Sequence, residues 1–225
     1  MTDWNSRARV EERILGLSRG DPFAQVIRGA EIHRERHGAV CGLYPAGPQV
    51  MRLAATIARA ARPMRILDLG ADFGYSSLWL ASAVGPGATV TAVDRFPEHV
   101  ERAGSFAGQF GLADRLEFVT GEVSAVLERL DGPYDFIHDD AWFAAAPPYL
   151  TRIVDLLRPG GTLTMPNWFL LEDAITGNPR RDWSEFAGPS WAADTLAYAE
   201  RLSRIPCLDV TWTMFPALGI AVKRT

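Results

Sequence analysis

The spacing of hydrophobic positions changes several times along the chain, and each change predicts an element. Within Ser6 to Leu17, Val10, Ile14 and Leu17 recur at helical spacing, which places them on one face. Asp21-Pro22 then supplies an N-cap and first-turn signal for a second helix carrying Phe23, Val26, Ile27 and Ile32. From residue 46 the pattern alternates regularly. A helix over Pro48 to Ala61 runs into the apolar strand Met64 to Leu69, a glycine turn, and a helix over Tyr75 to Val84. Thr89 to Val93, Leu116 to Val119, Tyr134 to His138 and Thr162 to Met165 read as further strands. Helical stretches around Glu98–Phe110, Ser124–Leu130 and Pro148–Leu157 separate them. Strands that are apolar throughout, alternating with helices, predict a parallel sheet covered on both faces. After a helix near Ala192–Leu202, Leu208–Met214 and Leu218–Val222 follow each other across a short turn, so they pair antiparallel. The fold class is therefore α/β: a doubly wound, mostly parallel sheet ending in an antiparallel hairpin.

Residues 1–45, rich in Arg and Glu, read as a helical cap on one domain that occupies 46–225. The cap either packs on that domain, or closes over a ligand or builds a dimer interface. Composition narrows the function. Of 225 residues, 23 are basic and 27 acidic, a net charge of −4, which argues against a nucleic-acid partner. No stretch approaches the ~18 apolar residues of a membrane span. The charged amino terminus is unlike a signal peptide, and Cys41 and Cys207 fit no metal spacing. A cytoplasmic protein without membrane or nucleic-acid partners is the expectation.

Candidate chemistry gathers after the first strand. The turn Asp68-Leu69-Gly70-Ala71-Asp72-Phe73-Gly74-Tyr75-Ser76 lies between a strand and a helix, and Asp94, ending the next strand, stands 24 residues past Gly70. A ribose-binding carboxylate is expected ~20 residues beyond such a turn. A dinucleotide fingerprint would need glycines at 72 and 75, where the chain has Asp72 and Tyr75. Asp72 beside a pyrophosphate would repel it. S-adenosylmethionine carries a ribose and positive charge but no phosphate, which removes the conflict.

These residues resemble class I S-adenosylmethionine-dependent methyltransferases, specifically the small O-methyltransferases similar to catechol and caffeoyl-CoA O-methyltransferases. The similarity spans about residues 45 to 225 and rests on RILDLGADFGYSSLWLA, TVTAVD, DRLEFVTGEV, YDFIHDDA, LLRPGG and the final VKR. It implies a Rossmann-like, seven-stranded sheet and a homodimer formed through the amino-terminal helices. It further implies that Gly70, Asp72, Gly74 and Ser76 line the methionine end of the cofactor, that Asp94 holds the ribose, and that Gly121 and Glu122 border the adenine. Asp68, Tyr75, Arg95 and Asp140 complete the expected cofactor contacts. The family usually has a small residue or Thr where this chain has Asp72.

Departures at the acceptor side bear on mechanism. Metal-dependent members end the fourth strand Asp-Ala-Asp-Lys and the fifth Asp-Asn; here the corresponding segments are Asp140-Ala141-Trp142-Phe143 and Met165-Pro166-Asn167. Phe143 replaces the Lys and Pro166 the Asp. Asp140 and Asn167 are thus the metal residues if there is any metal, and one carboxylate with one amide makes a poor magnesium site. Asp140, His138 and Asp139 are the candidate catalytic residues for removing the acceptor's proton. Trp142, Asn167 and Trp168, just past the fourth and fifth strands, are expected to face a small, aromatic or natural-product acceptor. The segment Thr176 to Trp191 reads as a loop near that pocket, with Arg180 and Arg181 on it. The leading expectation is methyl transfer to a hydroxyl, without metal. Its alternatives are the same cofactor with another nucleophile or another reaction, and a non-catalytic cofactor-binding protein.

Overall fold

The computed structural model describes residues 9, 12–14, 16–38, 41–141, 147–177, 182–184 and 188–225. Its order of elements follows the alternation of the sequence. Helix α1 (Ala24–His37) and helix α2 (Pro48–Ala61) precede β1 (Arg65–Leu69), α3 (Tyr75–Ala83), β2 (Thr89–Asp94), α4 (Pro97–Gln109) and β3 (Leu116–Thr120). There follow α5 (Val123–Leu127), β4 (Tyr134–Asp139), α6 (Pro147–Leu156), β5 (Leu157–Met165), α7 (Phe169–Thr176), α8 (Trp191–Ser203), β6 (Leu208–Met214) and β7 (Ala217–Lys223).

The strands form one seven-stranded sheet in the order β3-β2-β1-β4-β5-β7-β6. The first five are parallel; β7 runs antiparallel to both β5 and β6. The strand order reverses at β1, between β2 and β4, so their carboxyl ends frame the crevice in which such sheets bind ligands.

Two apolar layers cover the sheet. On one face α5 to α8 pack through residues such as Leu127, Ile153, Leu170 and Leu202 against Leu67, Ile137 and Leu163. On the other, α1 to α3 pack through Val26, Met51 and Leu78 against Ile66, Val90 and Phe136. In α1, Val26 and Ala30 are buried, whereas Ile32, expected on the apolar face, is exposed. The cap helix α1 thus shares the core of the sheet. Half of the helix expected over Ser6 to Leu17 lies outside the described residues; those described, 9, 12–14, 16 and 17, are helical.

Two elements differ from the sequence pattern. Strand β5 starts at Leu157, which pairs with Tyr134; pairing then shifts and resumes with Thr162 opposite Phe136. The shift admits the Arg158-Pro159-Gly160-Gly161 segment into the strand, where the sequence reads as a helix end. Helix α7 fills a stretch to which the sequence pattern assigns no element, and ends where Gly177 adopts a left-handed conformation.

Candidate functional site

The carboxyl edge is built by backbone hydrogen bonds between strand ends. Gly70 and Ala71 donate to the Val93 carbonyl, Gly121 donates to that of Asp94, and Asp140 donates to that of Leu69. Gly70, at φ 78°, lies so close to Asp140 that a Cβ would meet its carbonyl carbon and oxygen at 3.2 Å. Gly74, also left-handed, starts α3, where a Cβ would press on Ala103. These two glycines therefore shape the turn itself. Asp72 adopts φ 50° without being glycine, a conformation that Asp tolerates better than most residues.

Four of the sequence-predicted acids meet around this turn. Asp68 is fully buried. Its Oδ2 accepts from Ser76 Oγ at 2.7 Å and from Ser77 Oγ; its Oδ1 has no hydrogen-bond partner among the described residues. Burial pushes its carboxyl up to about 6, against the two serine hydroxyls. Asp72 donates its backbone N–H to Asp94 Oδ2 at 3.0 Å, and its own Oδ2 accepts from the Tyr44 N–H at 3.0 Å. Burial, then the charge of Asp94, raises Asp72 well above the usual carboxylate range. Asp94 also accepts from the Phe96 N–H at 2.9 Å, which fixes its carboxylate against the start of α4.

Asp140, half-buried past the end of β4, is likewise raised well above its ordinary range, by burial and then by Asp72, Asp68 and Asp139. Four crowded carboxylates favour a ligand that brings positive charge, and the orphaned Asp68 oxygen offers an acceptor for a hydrogen-bond donor. The donor set fits an ammonium- or sulfonium-bearing cofactor.

The structure places other sequence-predicted residues at the rim. Tyr75 is buried, and its hydroxyl donates to Asp21 Oδ2 at 2.8 Å, tying the start of α1 to the turn. Arg95 is exposed, with its guanidinium over the Phe96 ring. Glu122, exposed, precedes α5 beside Gly121.

At the acceptor side three expectations are corrected. His138 is fully buried and its Nδ1 meets Thr164 Oγ1 at 2.9 Å. Burial alone lowers its pKa to about 4, so it is a neutral core imidazole out of reach of any acceptor. Asp139, on the opposite strand face, is also fully buried. Tyr149 donates to its Oδ1 at 2.5 Å, Tyr198 to its Oδ2 at 3.3 Å, and the Ala141 N–H to its Oδ1. It anchors α6 and α8 to the sheet and does not face a ligand. Trp168 is fully buried too, against Trp212 and Tyr198; a Cβ at Gly219 would collide with its indole. Its ring is core packing, not a wall for an acceptor. Trp142, Phe143, Arg180 and Arg181 lie outside the described residues.

That leaves Asp140 and Asn167. The Asn167 side-chain amide donates to Asp140 Oδ1 at 2.7 Å. An amide N–H aimed at the one available carboxylate, with Pro166 offering no ligand, does not fit a magnesium-type site, which needs oxygen donors.

Comparison with known proteins assigns the family. Residues 67–168 match the model of a methyltransferase domain. Over 205 residues the chain is 30% identical to a protein of Mycolicibacterium vanbaalenii named "Putative O-methyltransferase", covering 90% of this chain and 88% of the relative. The chain belongs to the O-methyltransferase family. Solved methyltransferases share its fold. The S-adenosylhomocysteine-bound methyltransferase PaMTH1 of Podospora anserina superposes with a TM-score of 0.83 at 22% identity, covering 100% of this chain and 98% of that one. The O-methyltransferase TomG of Streptomyces achromogenes, involved in tomaymycin synthesis and solved with S-adenosylmethionine, gives 0.76 at 24%, covering both chains fully.

Three contributors to this O-methyltransferase site escaped the sequence reading. His99 and Phe96 flank Asp94, and Tyr44 caps Asp72. A histidine in the first turn of the helix that follows the acid-ended strand was the available signal for His99.

Proposed function

We propose that the chain transfers the methyl group of S-adenosylmethionine to a hydroxyl of a small-molecule acceptor, with Asp140 receiving the proton and no divalent ion taking part. The convergence of Asp68, Asp72, Asp94 and Asp140 at one edge of the sheet carries this reading. When bound, the cofactor supplies an electrophilic methyl group on a positively charged sulfur. Asp94, fixed by two backbone N–H groups, keeps lone pairs for ribose hydroxyls. Asp68 keeps its free oxygen for an ammonium donor, directly or through a water. Asp140 is half-buried and its carboxyl is raised, so it accepts a proton more readily than an ordinary carboxylate. Asn167, just past the end of β5, orients it through its 2.7 Å hydrogen bond.

Family membership and the S-adenosylmethionine bound by TomG support the cofactor, and the Asp140–Asn167 bond supports metal independence. Two cysteines that remain free, with no described helix long and apolar enough to cross a membrane, support a cytoplasmic setting. The family resemblance supports a homodimer, which light scattering would test.

Calorimetry with S-adenosylmethionine and S-adenosylhomocysteine tests the cofactor; absence of binding at micromolar concentration refutes it. Turnover on a panel of phenolic acceptors, with and without chelator, tests acceptor class and metal together. A methylated hydroxyl formed equally in both is the expected product.

A further inference from the structure

We propose that His99 is a positioning residue for the cofactor: its Nδ1, set between the carboxylates of Asp72 and Asp94, holds Asp94 facing the ribose hydroxyls. This rests on reading Asp94 as the ribose ligand.

His99 is the third residue of α4 and only 2% exposed. Its ring is confined by Phe96, Phe73 and His33, with centroids 4.7, 5.3 and 5.7 Å away. Held this way, Nδ1 lies between the acids, 3.3 Å from Asp94 Oδ1 and 3.9 Å from Asp72 Oδ1. It completes a well-formed hydrogen bond with neither. Ligating atoms of Asp72, Asp94 and His99 all lie within 4.8 Å of one another. The nearer oxygen, Asp94 Oδ1, already accepts from the Phe96 N–H, so an Nδ1–H suits it and an Nδ1 lone pair would face lone pairs.

That N–H sits where two carboxylates would otherwise repel. Asp72 is held from the far side by the Tyr44 N–H, so it cannot retreat without releasing the 41–46 segment. Each oxygen of Asp94 takes one backbone donor, from Asp72 and from Phe96. The imidazole nitrogen between the acids adds a third polar contact on Asp94. Charged groups outside this trio also act on Asp72, among them Asp68 and Arg95. Arg95 is exposed over Phe96, and His33 pairs with Glu98 and stacks on His37.

Two substitutions separate donor from packing. His99→Phe keeps a ring among its aromatic neighbours and removes the donor; His99→Asn places an amide donor near the Nδ1 position. Calorimetry with S-adenosylhomocysteine and steady-state kinetics should show His99→Phe weakening binding, and raising the cofactor KM, by about tenfold with little change in kcat. His99→Asn should recover most of that loss. In an Asp94→Ala background, His99→Phe should have no further effect. A folded His99→Phe protein with parental affinity, or an undiminished loss in the Asp94→Ala background, overturns the role. So does failure of His99→Asn to recover affinity, or a stoichiometric metal in the purified protein that His99→Phe abolishes. If Asp94→Ala itself leaves affinity unchanged, it is the ribose reading beneath the proposal that fails.

Discussion

Asn167 donates its side-chain amide to Oδ1 of Asp140 across 2.7 Å, joining the carboxyl ends of β4 and β5 at the acceptor side. A carboxylate held this way keeps its second oxygen for a substrate proton. Asp140→Asn should lower kcat by about 10²-fold or more while leaving cofactor affinity within a few-fold, since proton transfer contributes on that scale. Activity should also survive dialysis against a chelator. Parental turnover by Asp140→Asn would clear that residue of proton transfer.

Asp94 ends β2 with both oxygens engaged by backbone donors. Replacing it by Ala removes the acceptor offered to the ribose. The expected loss of cofactor binding is roughly 1–3 kcal/mol, the range for a hydrogen bond to a charged group. Calorimetry on the folded variant reads it directly.

Asp139 is a stability element whose phenolic partners come from two helices, Tyr149 on α6 and Tyr198 on α8. Tyr149→Phe removes the shorter bond and leaves a buried carboxyl short of a donor. It should cost about 1–3 kcal/mol in urea unfolding, while the cofactor KM stays near the parental value. An unchanged urea midpoint would contradict the anchoring role.

His138 links stability to pH. Burial holds its pKa at about 4, below the ordinary 6.5, so the unfolded chain takes up a proton that the folded chain refuses until pH 4. Stability from this group is therefore lost as pH falls from 6.5 towards 4, on the order of 3 kcal/mol in all. Asp68 and Asp139, raised from 3.8 to about 6, act with the opposite sign: their contribution is lost as pH rises through 6. Comparing the parent with His138→Leu at each pH cancels those carboxyls. The parent should lose ground to the variant between pH 6.5 and 4, read from thermal midpoints; parallel curves would mean that His138 titrates normally.

Local signals carried the frame of the fold. Helix α2 spans Pro48–Ala61 as its spacing predicts, because Gly47-Pro48 starts it and Arg62, left-handed, stops it. Strand β6 also agrees at both ends. The start of β5 was illegible because it depends on a register shift against Tyr134, which no local pattern records. The glycine turn and Asp94 were legible for the same reason as α2: turn, strand and acid are neighbours in sequence or nearly so. The roles of His138, Asp139 and Trp168 were not. Each depends on partners far along the chain, Thr164, Tyr198 and Trp212 among them, and apolar strand residues look alike until a second element covers them. His138 and Asp139 lie on opposite faces of β4, and both faces are buried.

The two threads from the amino-terminal segment to the glycine turn, Tyr75 to Asp21 and the Tyr44 amide to Asp72, have a consequence for local opening. Breaking either one disturbs α1 and the turn together, so the two should open as one cooperative unit. Hydrogen exchange at the Tyr44 amide should therefore slow when the turn is occupied. Asp21 and Tyr44 thus serve as built-in reporters of whether the enzyme is loaded.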